Sequence, residues 1–131
     1  MNNKIMTQED KKLLLVDLCA RLPYKPKVYF SIVEDNKPVE LSLELIRCLQ
    51  SIPLGQNEIV IKPYLRPMSS MTKEEEKDFR KFQLDYSNIT FDWLNAHHFD
   101  FRNLIERGLA IAVTEENNPY KEQRYDTRRA C

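Results

Sequence analysis

Apolar residues in the first part of the chain recur at helical spacing: Leu14, Leu18 and Leu22, with Leu15 and Cys19 beside them. That pattern puts one apolar side on a helix of about four turns. Thr7-Gln8-Glu9-Asp10 has the form of a capping box, a threonine oxygen for the first free amides and an acid three residues on, so the helix is expected to start there. Pro23 forbids its continuation.

The period then changes. VYFSIV, Val28 to Val33, is rich in the β-branched and aromatic residues that suit a pleated surface, and Glu34-Asp35-Asn36-Lys37-Pro38 is a polar turn cluster. Beyond it Val39, Leu41, Leu43 and Leu45 alternate with Glu40, Ser42 and Glu44, which completes a β-hairpin. Leu45, Ile46, Leu49 and Ile52 fit a helical period instead, so the second strand is expected to pass into a helical turn before Pro53. Leu54-Gly55-Gln56-Asn57 reads as a turn, and EIVIK, Glu58 to Lys62, as a third short strand. KPYLRPMSSM holds Pro63 and Pro67, each lacking a backbone donor, and is expected to be an ordered extended crossing rather than a strand interior.

Thr72-Lys73-Glu74-Glu75 is a second capping box, with acids at the positive end of the helix dipole. Phe79, Phe82 and Tyr86 share one side of that helix, while Glu76 and Arg80 can pair on the solvated side. Ser87-Asn88 breaks the pattern, and a shorter helical region begins near Thr90. Asp100 is placed to cap a further short helix, FRNLIER, which Arg107 and Gly108 end. Leu109 to Val113 can return as an edge strand, and from Thr114 the chain is polar and without period. Helix, then strands, then helices predict an α+β fold: a small antiparallel sheet, open or curled into a partly closed barrel, flanked by an N-terminal helix and C-terminal helices. Residues 1–113 form the expected single domain and 114–131 a polar, flexible tail.

Composition narrows the function more than it names it. A chain of 131 residues with 20 basic and 20 acidic side chains has no overall field to draw it onto a polyanion or an anionic membrane. Two glycines in the whole chain leave no room for a phosphate-cradling glycine loop. MNNKIMTQEDKK lacks the apolar core of a signal peptide and no apolar run approaches a membrane span, so a cytoplasmic protein with no membrane partner is expected. Cys19, Cys48 and Cys131 are odd in number and form no CxxC pair, which points to reduced thiols, with Cys19 as a small buried residue among leucines.

The chemistry-bearing stretch is WLNAHHFDFR, Trp93 to Arg102, with the chain's one tryptophan and both histidines. Adjacent histidines on a helix point about 100° apart, whereas ligand pairs use spacings of three or four. His97 shares a stripe with Trp93 and Phe101 and is expected inward; His98, four residues before Arg102, is expected on a more exposed side. No metal site, cofactor or catalytic residue is assigned, and the chain is expected not to be an enzyme. A metal-dependent hydrolase built on the histidine pair is the last of three function classes.

Binding is the more open class. Lys62, Tyr64 and Arg66 alternate and so share one face of an extended chain, two cations and a ring that suit a phosphate and a base. Tyr and Arg equally suit a protein partner, as do His98 and Arg102. A non-enzymatic interaction protein with a protein partner is the first expectation and a nucleotide or nucleic-acid binder the alternative. The plain structural role for the same residues is that Tyr64 and Leu65 pack the sheet against the following helix while the prolines stiffen the crossing.

LLLVDLCARLPY, IKPYLRPMSSMT and WLNAHHFDFRNLIERGLAI resemble stretches of a family of small proteins from gut bacteria and their phages, a group with no known activity. The resemblance covers the flanks of the chain and not the segment VYFSIVEDNKPVELSLELIRCLQSI. It implies a small intracellular accessory protein of phage or prophage type, and no residue inherits a catalytic or ligand role from it.

Overall fold

The structure is a computed structural model that describes residues 7–33, 37–51, 59–83 and 89–120, and for 82, 83, 89 and 90 the backbone alone. The turns expected at Glu34–Asn36 and Leu54–Asn57, the break at Ser87-Asn88, the side chains of Phe82 and Tyr86, and the chain from Lys121 lie outside the described residues.

The architecture is α+β: among the described residues, an open five-stranded sheet with an N-terminal α-helix and three more. Helix α1 (Gln8–Arg21) opens on the expected capping box, Asp10 N–H donating to the Thr7 hydroxyl at 3.0 Å and Thr7 N–H to the Asp10 carboxylate at 3.3 Å. Strand β1 (Lys27–Phe30) forms the expected antiparallel hairpin with β2, which spans only Val39–Glu40. The alternating run beyond β2 belongs to helix α2 (Leu43–Ser51): Ser42 accepts the Leu45 N–H on its hydroxyl at 3.3 Å, and this start of a helix overrides the strand-like pattern at Leu43 and Leu45.

Strand β3 (Ile61–Pro67) is the centre of the sheet, which corrects the expectation of a crossing segment at KPYLRP. It pairs antiparallel with β1 and parallel with β4 (Phe99–Asp100) and β5 (Ile111–Ala112), so the sheet is mixed. Helices α3 (Lys73–Gln83) and α4 (Ile89–Ala96) supply the long crossover that the parallel β3–β4 pair requires. Pro63 is tolerated because of where its missing donor falls. Ser31 donates to the Val60 carbonyl and Val113 to the Leu65 carbonyl, so by alternation residue 63 faces the β5 edge, ahead of the Tyr64↔Ile111 pair that begins that ladder.

Among the described residues two apolar clusters hold the layers. Leu14 and Leu18 of α1, Ile46 and Leu49 of α2, Val28, Ile61, Leu65 and Leu104 form the larger one. Trp93, Leu94 and Phe99, with Met71, Phe79 and Phe101 against them, form the smaller. Two expectations change at the edges of this core. Cys19 is exposed, because the buried side of α1 is turned toward Asp17 and Arg21. FRNLIER makes turns in place of a helix, although Asp100 caps it, accepting Leu104 and Ile105 N–H at 2.8 and 2.9 Å. It ends as expected at Gly108, whose φ of +79° accompanies Gly108 N–H to Ile105 and Leu109 N–H to Leu104, the paired bonds of a Schellman turn.

The fold also runs past Val113. Tyr120 is buried, its hydroxyl bonded into the sheet, so the part of the expected tail up to residue 120 belongs to the domain.

Candidate functional site

Three groups of polar and aromatic side chains surround the α4–β4 corner. The first begins with an i, i+4 pair on α1: Arg21 Nε donates to the Asp17 carboxylate at 2.7 Å, and neither side chain is exposed to solvent. Arg21 Nη2 reaches the Phe99 carbonyl at 2.6 Å, and Arg102 Nη1 donates to the other Asp17 oxygen at 2.6 Å. One carboxylate thus orients two guanidiniums, a largely buried arrangement in which loss of the carboxylate would leave the Arg21 charge uncompensated. The Arg102 guanidinium lies over the Phe101 ring, 4.4 Å from its centroid, and Phe101 meets Phe91 at 5.4 Å. Phe91 is 52% exposed, while 21% of the Arg102 side chain is exposed.

The second group accounts for Arg66. Its guanidinium donates twice to Glu75, Nη1 to Oε2 at 2.9 Å and Nη2 to Oε1 at 2.7 Å, and lies 4.2 Å from the centroid of Phe99. Glu75 is also the acid of the second capping box, taking Thr72 N–H at 3.0 Å. Burial alone pushes the Glu75 carboxyl up, but the Arg66 hydrogen bond, the Thr72 amide and the charges of Arg66 and His97 outweigh it and hold the group at about 2. Arg66 is therefore a neutralised scaffold cation. Tyr64 is buried, and burial, then the neighbouring Tyr29, raises its phenol above the ordinary value. Lys62, Tyr64 and Arg66 do share one side of β3, opposite Ile61 and Leu65, but only the half-buried Lys62 keeps the character expected of an open binding face.

The third group is built on the histidines. His97 stacks on Trp93 with centroids 4.1 Å apart and its Nδ1 lies 2.9 Å from the Trp93 carbonyl; a carbonyl only accepts, so that nitrogen carries the proton. His97 is inward, as its register implied. His98 is buried too, which corrects its expected exposure: α4 ends at Ala96, and His98 takes a left-handed backbone with φ +64°, so helical spacing no longer decides its direction. Its ring stacks on Tyr120 at 3.8 Å. Burial, followed by the charges of Arg21, His97 and Arg66, lowers its pKa to about 3, so His98 is neutral at physiological pH. Among the described residues its Nδ1, Arg21 Nη1 and Asn95 Oδ1 are buried without a hydrogen-bond partner.

Tyr120 stands at an unusual place in the sheet. The register pairs Tyr29 with Lys62, and the next ladder rung in line is Lys27 with Tyr64. Lys27 N–H donates instead to the Tyr120 hydroxyl at 2.9 Å, which donates on to the Tyr64 carbonyl at 2.8 Å. A side-chain hydroxyl occupies the rung. Two residues along β3, Arg66 N–H takes up the pairing again with the His98 carbonyl at 2.7 Å, so Tyr120 fills the fork where β1 leaves β3 and β4 joins it.

No family model, curated protein or solved structure matches the chain. Among the described residues no group of three or more His, Cys, Asp and Glu is placed to hold a metal ion, and no helix is long and apolar enough to cross a membrane.

Several of these residues escaped the sequence reading. Asp17 and Arg21 had a legible signal, opposite charges at i, i+4 on the apolar side of a helix. Tyr120 had none, since nothing in a polar segment marks one tyrosine as an anchor. Phe91 falls where the pattern restarts after Ser87-Asn88 and is distinguished only by its exposure in three dimensions.

Proposed function

We propose that the protein is a small non-enzymatic interaction protein of the cytoplasm, an accessory factor that binds another protein through the corner made by Phe91, Phe101 and Arg102. The observation that carries this reading is the exposed Phe91 ring seated on Phe101, beside an arginine stacked on the same ring and tied to Asp17. Aromatic rings and arginines dominate the energetics of protein interfaces, and groups already held in place lose little freedom on binding. The resemblance to small proteins of gut bacteria and their phages suits this reading, with a host or phage protein as the partner.

Nucleotide or nucleic-acid binding through Lys62, Tyr64 and Arg66 has less support. The Arg66 charge is matched by Glu75 and Tyr64 is buried, which leaves Lys62 alone of the three to meet a phosphate, where phosphate affinity needs several cations. The two histidines of the hydrolase reading face different partners, Trp93 and Tyr120.

The test is affinity capture from the cells of origin with the wild-type chain and with Phe91→Glu, both shown to unfold at the same temperature. A protein retained by the wild type and lost from Phe91→Glu is the expected result. Equal recovery on both would rule the corner out as the contact.

A further inference from the structure

The fork that Tyr120 fills is a built recognition site for a phenol. Lys27 N–H supplies a donor and the Tyr64 carbonyl an acceptor at opposite sides of one hydroxyl, 2.9 and 2.8 Å away, and the His98 ring gives a parallel stacking face at 3.8 Å with an interplanar angle of 10°. A phenol matches all three features; a phenyl ring lacks the hydroxyl, and an alcohol lacks the ring. The site is also rigid. His98 holds a left-handed backbone that non-glycine residues rarely adopt, Arg66 N–H fixes the His98 carbonyl, and the sheet fixes Lys27 and Tyr64.

The segment that delivers Tyr120 is fastened much less firmly. Thr114 to Asn117 are exposed; Thr114 N–H donates to the Asn117 side chain at 2.6 Å, Asn117 N–H to the Thr114 hydroxyl at 3.3 Å, and the Asn117 side-chain amide to the Ala112 carbonyl of β5 at 3.3 Å. Asn118 takes the Tyr120 N–H within the same segment, and Asn118 and Pro119 are half-buried. Tyr120 is the one buried residue from Thr114 to the end of the described chain. A strap with a single buried side chain opens locally at low cost, because few apolar contacts break with it.

We propose that the fork between β1 and β4 is a tyrosine-binding site, that residues 114–120 are a displaceable plug filling it in cis, and that its exchange occupant is a tyrosine presented by an extended partner peptide. The groups left by a departing Tyr120 are a ladder N–H and C=O, the pair that an incoming tyrosine hydroxyl or a peptide backbone satisfies. This site is separate from the Phe91 corner and stands without it.

Full-length Tyr120→Gly, titrated with 4-methylphenol and with toluene while its thermal unfolding is followed, tests the recognition. A saturable rise in Tm with 4-methylphenol is expected, at an affinity at least roughly tenfold above that of toluene. A folded variant that answers neither compound, or both alike, overturns the site. Native-state hydrogen exchange of the wild type tests displacement and does not depend on the variant folding. The Lys27 amide, bonded to Tyr120, is expected to exchange at least about 100-fold faster than the Tyr29 amide inside the β1–β3 ladder. Equal protection of the two amides overturns the plug. A wild-type dimer that becomes monomeric in Tyr120→Gly would make the occupant a second copy of this chain and overturn the partner-peptide assignment.

Discussion

Tyr120 donates its hydroxyl to the backbone carbonyl of Tyr64, 56 positions earlier in the chain, and in doing so completes the central strand from a segment that has no regular structure of its own. Tyr120→Phe keeps the ring on His98 but leaves Lys27 N–H and the Tyr64 carbonyl without their shared partner. Denaturant unfolding is expected to show a loss of about 1–3 kcal/mol, the cost of stranding buried polar groups. A flexible tail would give a change near zero.

Asp17 carries the largest single risk to stability. Asp17→Leu leaves Arg21 fully buried with its charge uncompensated and frees Arg102 from its anchor. A loss of about 3–5 kcal/mol is expected, a large share of a total stability of about 5–15 kcal/mol. Asp17→Leu combined with Arg21→Leu removes both buried charges, so the double variant is expected to unfold at a higher denaturant midpoint than Asp17→Leu alone. A double variant weaker than the single one would show that Arg21 contributes mainly through its bond to Phe99.

Acid destabilises the fold first through His98. Its folded value of about 3 lies below the ordinary 6.5, so between those limits the unfolded chain binds a proton that the folded chain does not. Stability is full above pH 6.5 and falls by up to about 1.4 kcal/mol per pH unit as the medium is acidified toward pH 3. The groups around the ring, Arg21 from α1, His97 after α4 and Arg66 from β3, all oppose its protonation. Glu75 acts in the same direction but in a lower window, between its ordinary 4.5 and about 2. Unfolding measured at pH 7 and pH 5 therefore isolates His98, and His98→Asn, which tolerates the left-handed backbone, is expected to lose most of that difference.

Gly108 tests the turn that replaces the expected helix. Nothing lies within 4 Å of a Cβ placed there, so Gly108→Ala meets only the backbone penalty of φ +79°. A loss of about 1–2 kcal/mol in equilibrium unfolding is expected. A larger loss would show that Ala shifts the Leu109 and Leu104 contact as well.

Local chemistry made part of this molecule legible in advance and non-local pairing hid the rest. Both capping boxes, the hairpin, the Asp100 cap and the Gly108 end depend on residues a few positions apart, and spacing alone located them. Pro63 and Pro67 hide the central strand, since they argue against a strand until it is known which edge of β3 goes unpaired beside Pro63. Helical spacing points His98 outward only if α4 continues, and the helix ends two residues before it. Arg66 and Arg102 looked available because their carboxylates, Glu75 and Asp17, come from elements that only folding brings near them. Phe91 and Phe101 face each other across the α4–β4 connection, a relation that neither a period of two nor one of 3.6 contains.

The claim that the Phe91 corner is where this protein meets another is tested most directly by a photo-crosslinking residue placed at position 91 in the cells of origin, with the same residue at the exposed Asp78 of α3 as control. A discrete adduct with one protein from position 91, absent from position 78 and weakened by Arg102→Ala, is the predicted result. No adduct at position 91, or the same products from both positions, would contradict it.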